Sequence, residues 1–243
     1  VRSWTDPPAV VAHRGSPREA PENTLASFRR ALAAGAEAIE LDARLTRDGE
    51  VVVMHDPALG RTAEGKEFVE DLAADELRAR DAGAWFDPRF RGERVPTLRE
   101  VLRALPSTLL DVELKADASN VARLPARVRQ IVEQEGAQER VLATSFDPVL
   151  AAEYAELAER DAGVIAPFPL DPGDLKEFPR LRHVMLVQDA AEPDVVARLA
   201  GEGIRVHVWT VNDEATARDV IARGASGVIT DRPAAILKTL AGP

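Results

Sequence analysis

Apolar, strand-like runs alternate with amphipathic helical stretches along almost the whole chain, and that order leaves few folds open. The strand candidates occupy residues 9–13, 36–42, 109–115, 141–146, 163–167, 183–187, 205–211 and 227–230. Helical patterns fall at 23–34, 97–105, 121–134, 147–159, 193–200, 213–222 and 233–240, several of them stopping at glycines (Gly35, Gly136, Gly201, Gly224). Strands separated by helices run parallel, because a parallel pair needs a long crossover. Eight such strands within 243 residues predict one closed (β/α)8 TIM barrel, a fold of about 250 residues.

One apolar run departs from this order. Val51 to Met54 follows the second strand after a short connector that contains Asp48-Gly49, a hairpin signal. These residues should return antiparallel and carry His55 over the barrel mouth. Residues 57–95 are then too long for an ordinary loop and read as a small inserted subdomain within a single domain spanning 1–243. A short helix is expected at 72–82, and Trp85, Phe86 and Phe90 form an aromatic patch.

Composition excludes several chemistries. With no cysteine, disulfides, thiolate metal sites and cysteine nucleophiles are ruled out. A net charge of −10 argues against nucleic acid or an anionic membrane as partner. No apolar run approaches the length of a transmembrane segment, so a cytoplasmic location is expected. Export stays open, since the sequence begins with Val1 and not Met. Nothing in the sequence speaks to oligomeric state.

The polar residues at the strand ends carry the chemistry. His13 and His55 each close an apolar run, and imidazole is the side chain best suited to proton transfer near neutral pH. Glu40 and Asp42 lie two apart on one strand, so they share a face. An isolated Glu-x-Asp is more often a solvated edge, but Ile39 and Leu41 beside them turn the pair towards the barrel axis. Asp111, Glu113 and Lys115 alternate with apolar residues in the same way. Glu40, Asp42 and Glu113 together make an oxygen-rich nest for a hard divalent cation, Mg2+ or Ca2+; a structural ion-pair cluster is the plainer alternative. Arg14 offers a planar fork for phosphate, and Trp209 on the seventh strand is placed to wall the pocket. His207 lies one layer lower and reads as a core residue; His183 carries no functional signal.

With these residues in place, the sequence resembles the glycerophosphodiester phosphodiesterase family. The resemblance rests on HRGSPREAPENT, GAEAIELDARLTRDGEVVVMHD, LGRTAEGK, AGAWFDPRFRGERVPTLREVL, LDVELK, TSFD, VWTVND and GVITDRP, in that order. It implies a (β/α)8 barrel with an insertion after the second strand. The implied activity is metal-dependent hydrolysis of small-molecule glycerophosphodiesters to glycerol 3-phosphate and an alcohol. Carried over by position, it places the catalytic histidines at His13 and His55 and the metal carboxylates at Glu40, Asp42 and Glu113. Its phosphate-binding groups fall on Arg14 and Lys115, and an active-site acid falls on Glu22. Asp111 stands where that family more often has Asn. Two rivals remain: a lysophospholipase D-like or sphingomyelinase D-like activity on the same barrel, which an apolar groove beside the site would favour, and a non-catalytic ligand-binding barrel.

Overall fold

A computed structural model, describing residues 3–115 and 121–242, closes the eight expected parallel strands into a barrel. The strands are β1 (Val10–His13), β2 (Ala38–Leu45), β4 (Leu109–Leu114), β5 (Val141–Ser145), β6 (Ala162–Ala166), β7 (Leu181–Val187), β8 (Arg205–Trp209) and β9 (Gly227–Thr230). Each pairs with its neighbour, and β1 pairs with both β2 and β9, which closes the ring. β3 (Val51–Val53) is the extra arm, antiparallel to β2 through Ala43, Arg44 and Leu45. The turn signal at Asp48-Gly49 thus does what its chemistry predicts, with Gly49 at φ 83°.

Alternation along the strands sets the two layers. Ile39, Leu41 and Ala43 of β2 lie in the main core with Val101, Leu102 and Val128 from the surrounding helices. The intervening Glu40, Asp42 and Arg44 are left on the barrel side, as a side-chain period of two requires. The outer helices are α1 (Leu25–Ala33), α3 (Leu98–Ala104), α4 (Leu124–Gln134), α5 (Pro148–Ala158), α6 (Pro193–Gly201), α7 (Glu214–Ala222) and α8 (Pro233–Leu240). Their starts are chemically marked. Thr97 and Glu100 form a reciprocal capping box on α3, and Asp147 and Asp213 cap α5 and α7, each cap contributing about 1 kcal/mol. Between β6 and β7 a 3-10 turn at Pro172–Leu175 stands in place of an α-helix. None of these helices is long and apolar enough to cross a membrane, among the described residues.

Residues 57–95 pack over their own apolar cluster of Leu59, Val69, Leu72, Leu77, Ala82 and Val95, joined to the barrel through Val52 and Met54. The helix expected at 72–82 is shorter, α2 (Ala74–Arg78). Asp81 ends it by accepting bonds from the amides of Gly83, Ala84 and Gly92, which folds the chain back on itself. The aromatic patch closes on itself too: Phe86 meets Trp85 and Phe90 edge-on, at 5.7 Å in each case.

Trp4 closes the end of the barrel opposite the mouth, its indole NH donating to the Arg140 carbonyl at 3.1 Å. Above it the rings of His183 and His207 stack at 5.7 Å, and Trp4 meets both edge-on. Nδ1 of His183 and both ring nitrogens of His207 are buried without a hydrogen-bond partner among the described residues. Burial, then the neighbouring His207, pushes His183 well below the usual imidazole range. Burial, with Arg205 adding to it, takes His207 down to about 4.

Both imidazoles are therefore neutral in the fold and charge more easily when it opens. Their contribution to stability is present above pH ~6.5, the ordinary histidine value, and is lost as pH falls from there towards 4. His207 alone should cost on the order of 3 kcal/mol over that interval. Urea unfolding of the wild type should show about 2 kcal/mol of this loss between pH 7 and 5, and His207→Leu should reduce it.

Candidate active site

The cavity at the C-terminal mouth is built from strand ends and the turns that follow them. After His13 the chain turns sharply: Arg14 has φ 51° and Gly15 φ 89°, the left-handed region that favours glycine. A side chain at Gly15 would also meet Ser27 within 2.5–2.8 Å. The turn aims the Arg14 amide at the Glu40 carbonyl (2.9 Å) and at Glu40 Oε2 (3.0 Å). Its guanidinium lies between Glu22 (Nη1–Oε1 2.9 Å) and Asp42 (Nε–Oδ2 3.2 Å).

Glu40, Asp42 and Glu113 are buried, with one oxygen of each within 4.8 Å of the other two. Lys115 Nζ lies 2.6 Å from Glu113 and 3.2 Å from Asp42 Oδ1, while Asn23 donates to Asp42 Oδ2 at 2.7 Å. Burial pushes Glu40 upward, reinforced by Asp42, and takes Glu113 up to about 7 for the same two reasons. Asp42 goes the other way: burial is outweighed by Arg14 and Lys115, which hold it well below the carboxylate range. Beneath them Asp111 is pushed up to about 7, chiefly by burial, and accepts a 2.6 Å hydrogen bond from Thr144.

The cluster fits a hard divalent cation. Its donors are all carboxylate oxygens, and Asp42 Oδ1, although near Lys115, is buried without an aligned hydrogen-bond donor. A cation would supply the positive charge that three adjoining carboxylates lack.

Each catalytic candidate imidazole is braced from behind. His13 Nδ1 is 2.7 Å from Asp231, whose other oxygen accepts from Asn212 at 2.8 Å. His55 Nδ1 is 2.7 Å from Asp56, itself clamped by Arg61 at 2.6 and 2.9 Å. In both rings Nδ1–H donates to the carboxylate, which leaves Nε2 to the cavity that both histidines line. Burial, opposed by Asp42 and assisted by Arg14, lowers His55, while the Arg61 hydrogen bond leads in taking Asp56 down to about 2.

Asp231 lies outside the cavity lining, so its role should be separable from binding. Asp231→Asn should lower kcat by roughly ten- to a hundredfold, the scale of a lost outer partner, while leaving KM for glycerophosphocholine near the wild-type value. Steady-state kinetics distinguishes this from general structural damage, which would move both.

The remaining predicted residues take distinct places. Trp209 walls the cavity with Phe146, Ile165, Met185 and Ile229; its indole NH donates to the Met185 carbonyl at 2.8 Å, and its ring meets Phe146 edge-on at 5.6 Å. Glu22 does not line the cavity. Its oxygens are taken by Arg14 and Arg61, so it ties the first turn to the inserted segment. His207 and His183 lie in the floor. Asp231, Asn212, Asn23, Asp56 and Arg61 are further functional candidates; each lies in one of the sequence motifs above, which give it no individual role.

Two carboxylate-braced imidazoles, two basic groups and a buried carboxylate triad thus meet at one mouth of a (β/α)8 barrel, an array suited to acid–base chemistry on an anionic ester. Residues 13–235 match the Glycerophosphoryl diester phosphodiesterase family. The chain belongs to that family. It is 30% identical over 246 residues to the glycerophosphodiester phosphodiesterase of Caldanaerobacter subterraneus subsp. tengcongensis, covering 94% of this chain and 96% of that one. A phosphodiesterase of Oleispira antarctica, solved in complex with the product sn-glycerol-3-phosphate, superposes with a TM-score of 0.91 at 28% identity, over 97% of both chains. The glycerophosphodiester phosphodiesterase of Agrobacterium tumefaciens gives 0.82 at 28% identity, over 94% of this chain and 98% of that one.

Proposed function

We propose that the protein hydrolyses glycerophosphodiesters to glycerol 3-phosphate and an alcohol, with His13 and His55 as general acid and base and a divalent cation, Mg2+ or Ca2+, held by Glu40, Asp42 and Glu113. The observation that carries this reading is the pair of imidazoles, both held through Nδ1 and both lining a cavity that also contains Glu40, Glu113, Arg14 and Lys115. Such a pair suits a displacement at phosphorus, where one proton leaves the attacking hydroxyl and another reaches the departing oxygen.

In this mechanism Arg14 and Lys115 bind the phosphoryl oxygens and stabilise the charge that grows on them. One histidine removes the proton from the attacking hydroxyl, either of water, which gives glycerol 3-phosphate directly, or of the substrate's glycerol 2-OH, which gives a cyclic glycerol phosphate that a water then opens to glycerol 3-phosphate. The other donates a proton to the alcohol oxygen as its bond to phosphorus breaks. When bound, the cation supplies further charge neutralisation and makes a coordinated hydroxyl easier to deprotonate. Trp209 and Phe146 exclude water from one side. Release of glycerol 3-phosphate from glycerophosphocholine and glycerophosphoethanolamine, measured by a coupled assay with and without EDTA, tests the proposal. No release from either diester with Mg2+ or Ca2+ present would refute it.

A further inference from the structure

The apolar groove that would admit a lipophilic substrate does not lie at Trp85, Phe86 and Phe90, which pack on one another away from the cavity. Phe90 borders a surface recess with Arg18, Arg29 and Ala33. Exposed apolar side chains follow strand ends on the mouth side elsewhere: Phe146 (46% exposed), which lines the cavity, directly follows β5, Val149 (62%) lies in the first turn of α5, and Phe168 (61%) follows β6. β5 and β6 are neighbouring parallel strands, in register at Ser145 and Val164. Their following residues therefore leave from the same end of the barrel, on neighbouring strands. Exposed apolar residues scattered singly need no explanation, whereas several grouped at one opening do.

Volume decides what these side chains meet. The cavity is about 90 Å³, smaller than the roughly 150 Å³ void that holds benzene. It can enclose the phosphoryl group with part of one short arm, and no long chain. A diester has two arms on one phosphorus, so its second arm must leave through the open mouth. Phe146 is shared between cavity and rim and makes the apolar surface continuous from one to the other. A membrane is a poor occupant of this rim, since the net charge of −10 opposes approach to an anionic bilayer.

Resting on the phosphodiesterase reading above, we propose that Phe146, Val149 and Phe168 form an apolar lip that receives an aliphatic chain on the alcohol arm. The preferred substrates are then glycerophosphodiesters whose alcohol bears a hydrocarbon tail. The overall reaction consumes one water: the bond between phosphorus and the alcohol oxygen breaks, the tailed alcohol leaves with a proton, and glycerol 3-phosphate keeps the phosphoryl group.

The test uses sn-glycero-3-phospho-n-alkanols from ethyl to octyl, below their micelle concentrations, with glycerol 3-phosphate as readout. For the wild type, kcat/KM should rise about twofold per methylene from butyl onward, part of the roughly fourfold gain of full burial. Phe168 does not line the cavity, so Phe168→Ser should flatten that rise while leaving turnover of the ethyl diester unchanged. A flat series in the wild type, or an equal slope in Phe168→Ser, overturns the lip and leaves the phosphodiesterase reading standing. Calorimetry with octyl phosphate and ethyl phosphate reads the lip without turnover. Tighter binding of octyl phosphate that depends on Phe168 supports the lip even if no diester is cleaved, the result that would remove the activity. Equal binding of the two phosphates counts against the lip.

Discussion

Stripping divalent cations with EDTA should abolish release of glycerol 3-phosphate, and adding Mg2+ or Ca2+ should restore it. The expectation rests on a physical imbalance: three buried carboxylates share one small space, and Lys115 and Arg14 are the cations beside them. Binding should be visible without catalysis, because a cation at a hundredfold excess over its Kd adds about 2.7 kcal/mol to stability, a rise of about 5–10 °C in Tm for a chain of this size. The three carboxylates should not respond alike. Glu40 is pushed upward by burial and by Asp42, so Glu40→Gln should raise the Tm of the metal-free protein while weakening its response to cation. Asp42 is held ionised by Arg14 and Lys115, so Asp42→Asn should lower the metal-free Tm, leaving two half-buried cations short of a partner. Identical melting of wild type with and without cation, together with full activity in EDTA, would remove the metal from this site.

Removing either braced imidazole should be nearly as damaging. His13→Ala and His55→Ala should each lose on the order of 10² to 10⁴ in kcat/KM, whereas His207→Asn and His183→Asn, in the floor, should keep most of the activity. The wild-type pH profile of kcat/KM should be bell-shaped, reporting the pair as a unit. Each alanine variant should lose one limb, and which limb disappears assigns acid and base. If His207→Asn proved as damaging as His13→Ala, the division between catalytic and floor histidines would fail.

The barrel was legible because its signals are local. A period of two along β2 and β4 places Glu40, Asp42 and Glu113 on one face without any knowledge of the neighbours, and Asp48-Gly49 announces the hairpin. Capping residues such as Thr97 and Asp147 mark where helices begin. The braces behind the imidazoles were not legible in the same way. Asp231 is 218 positions from His13, and no spacing rule connects residues that only the closure of β1 against β9 brings together. Asp56 adjoins His55 in sequence, but its value depends on Arg61, which reaches across from the inserted segment. His183 carried no signal because its importance lies in stacking on His207 over Trp4, a contact between three distant parts of the chain. The one aromatic-rich stretch of the sequence, Trp85, Phe86 and Phe90, satisfies itself; Phe146, Val149 and Phe168 carry no sequence signal, because only the pairing of β5 with β6 makes their loops neighbours.

The cavity lining divides by position along the chain. Every charged residue in it lies between His13 and Lys115, and every apolar one between Phe146 and Ile229. Reactivity and shape are thus inherited from different ends of the polypeptide. On the proposed mechanism, substitutions in the later strands and their loops can redraw which alcohols fit while the imidazoles, basic groups and carboxylates stay untouched, so long as Asp231 and Asn212 are kept. A lineage carrying this barrel can diversify its diet by drift in one half of the gene, and a laboratory library confined to the loops after β5 and β6 would sample new substrates with little risk to the chemistry.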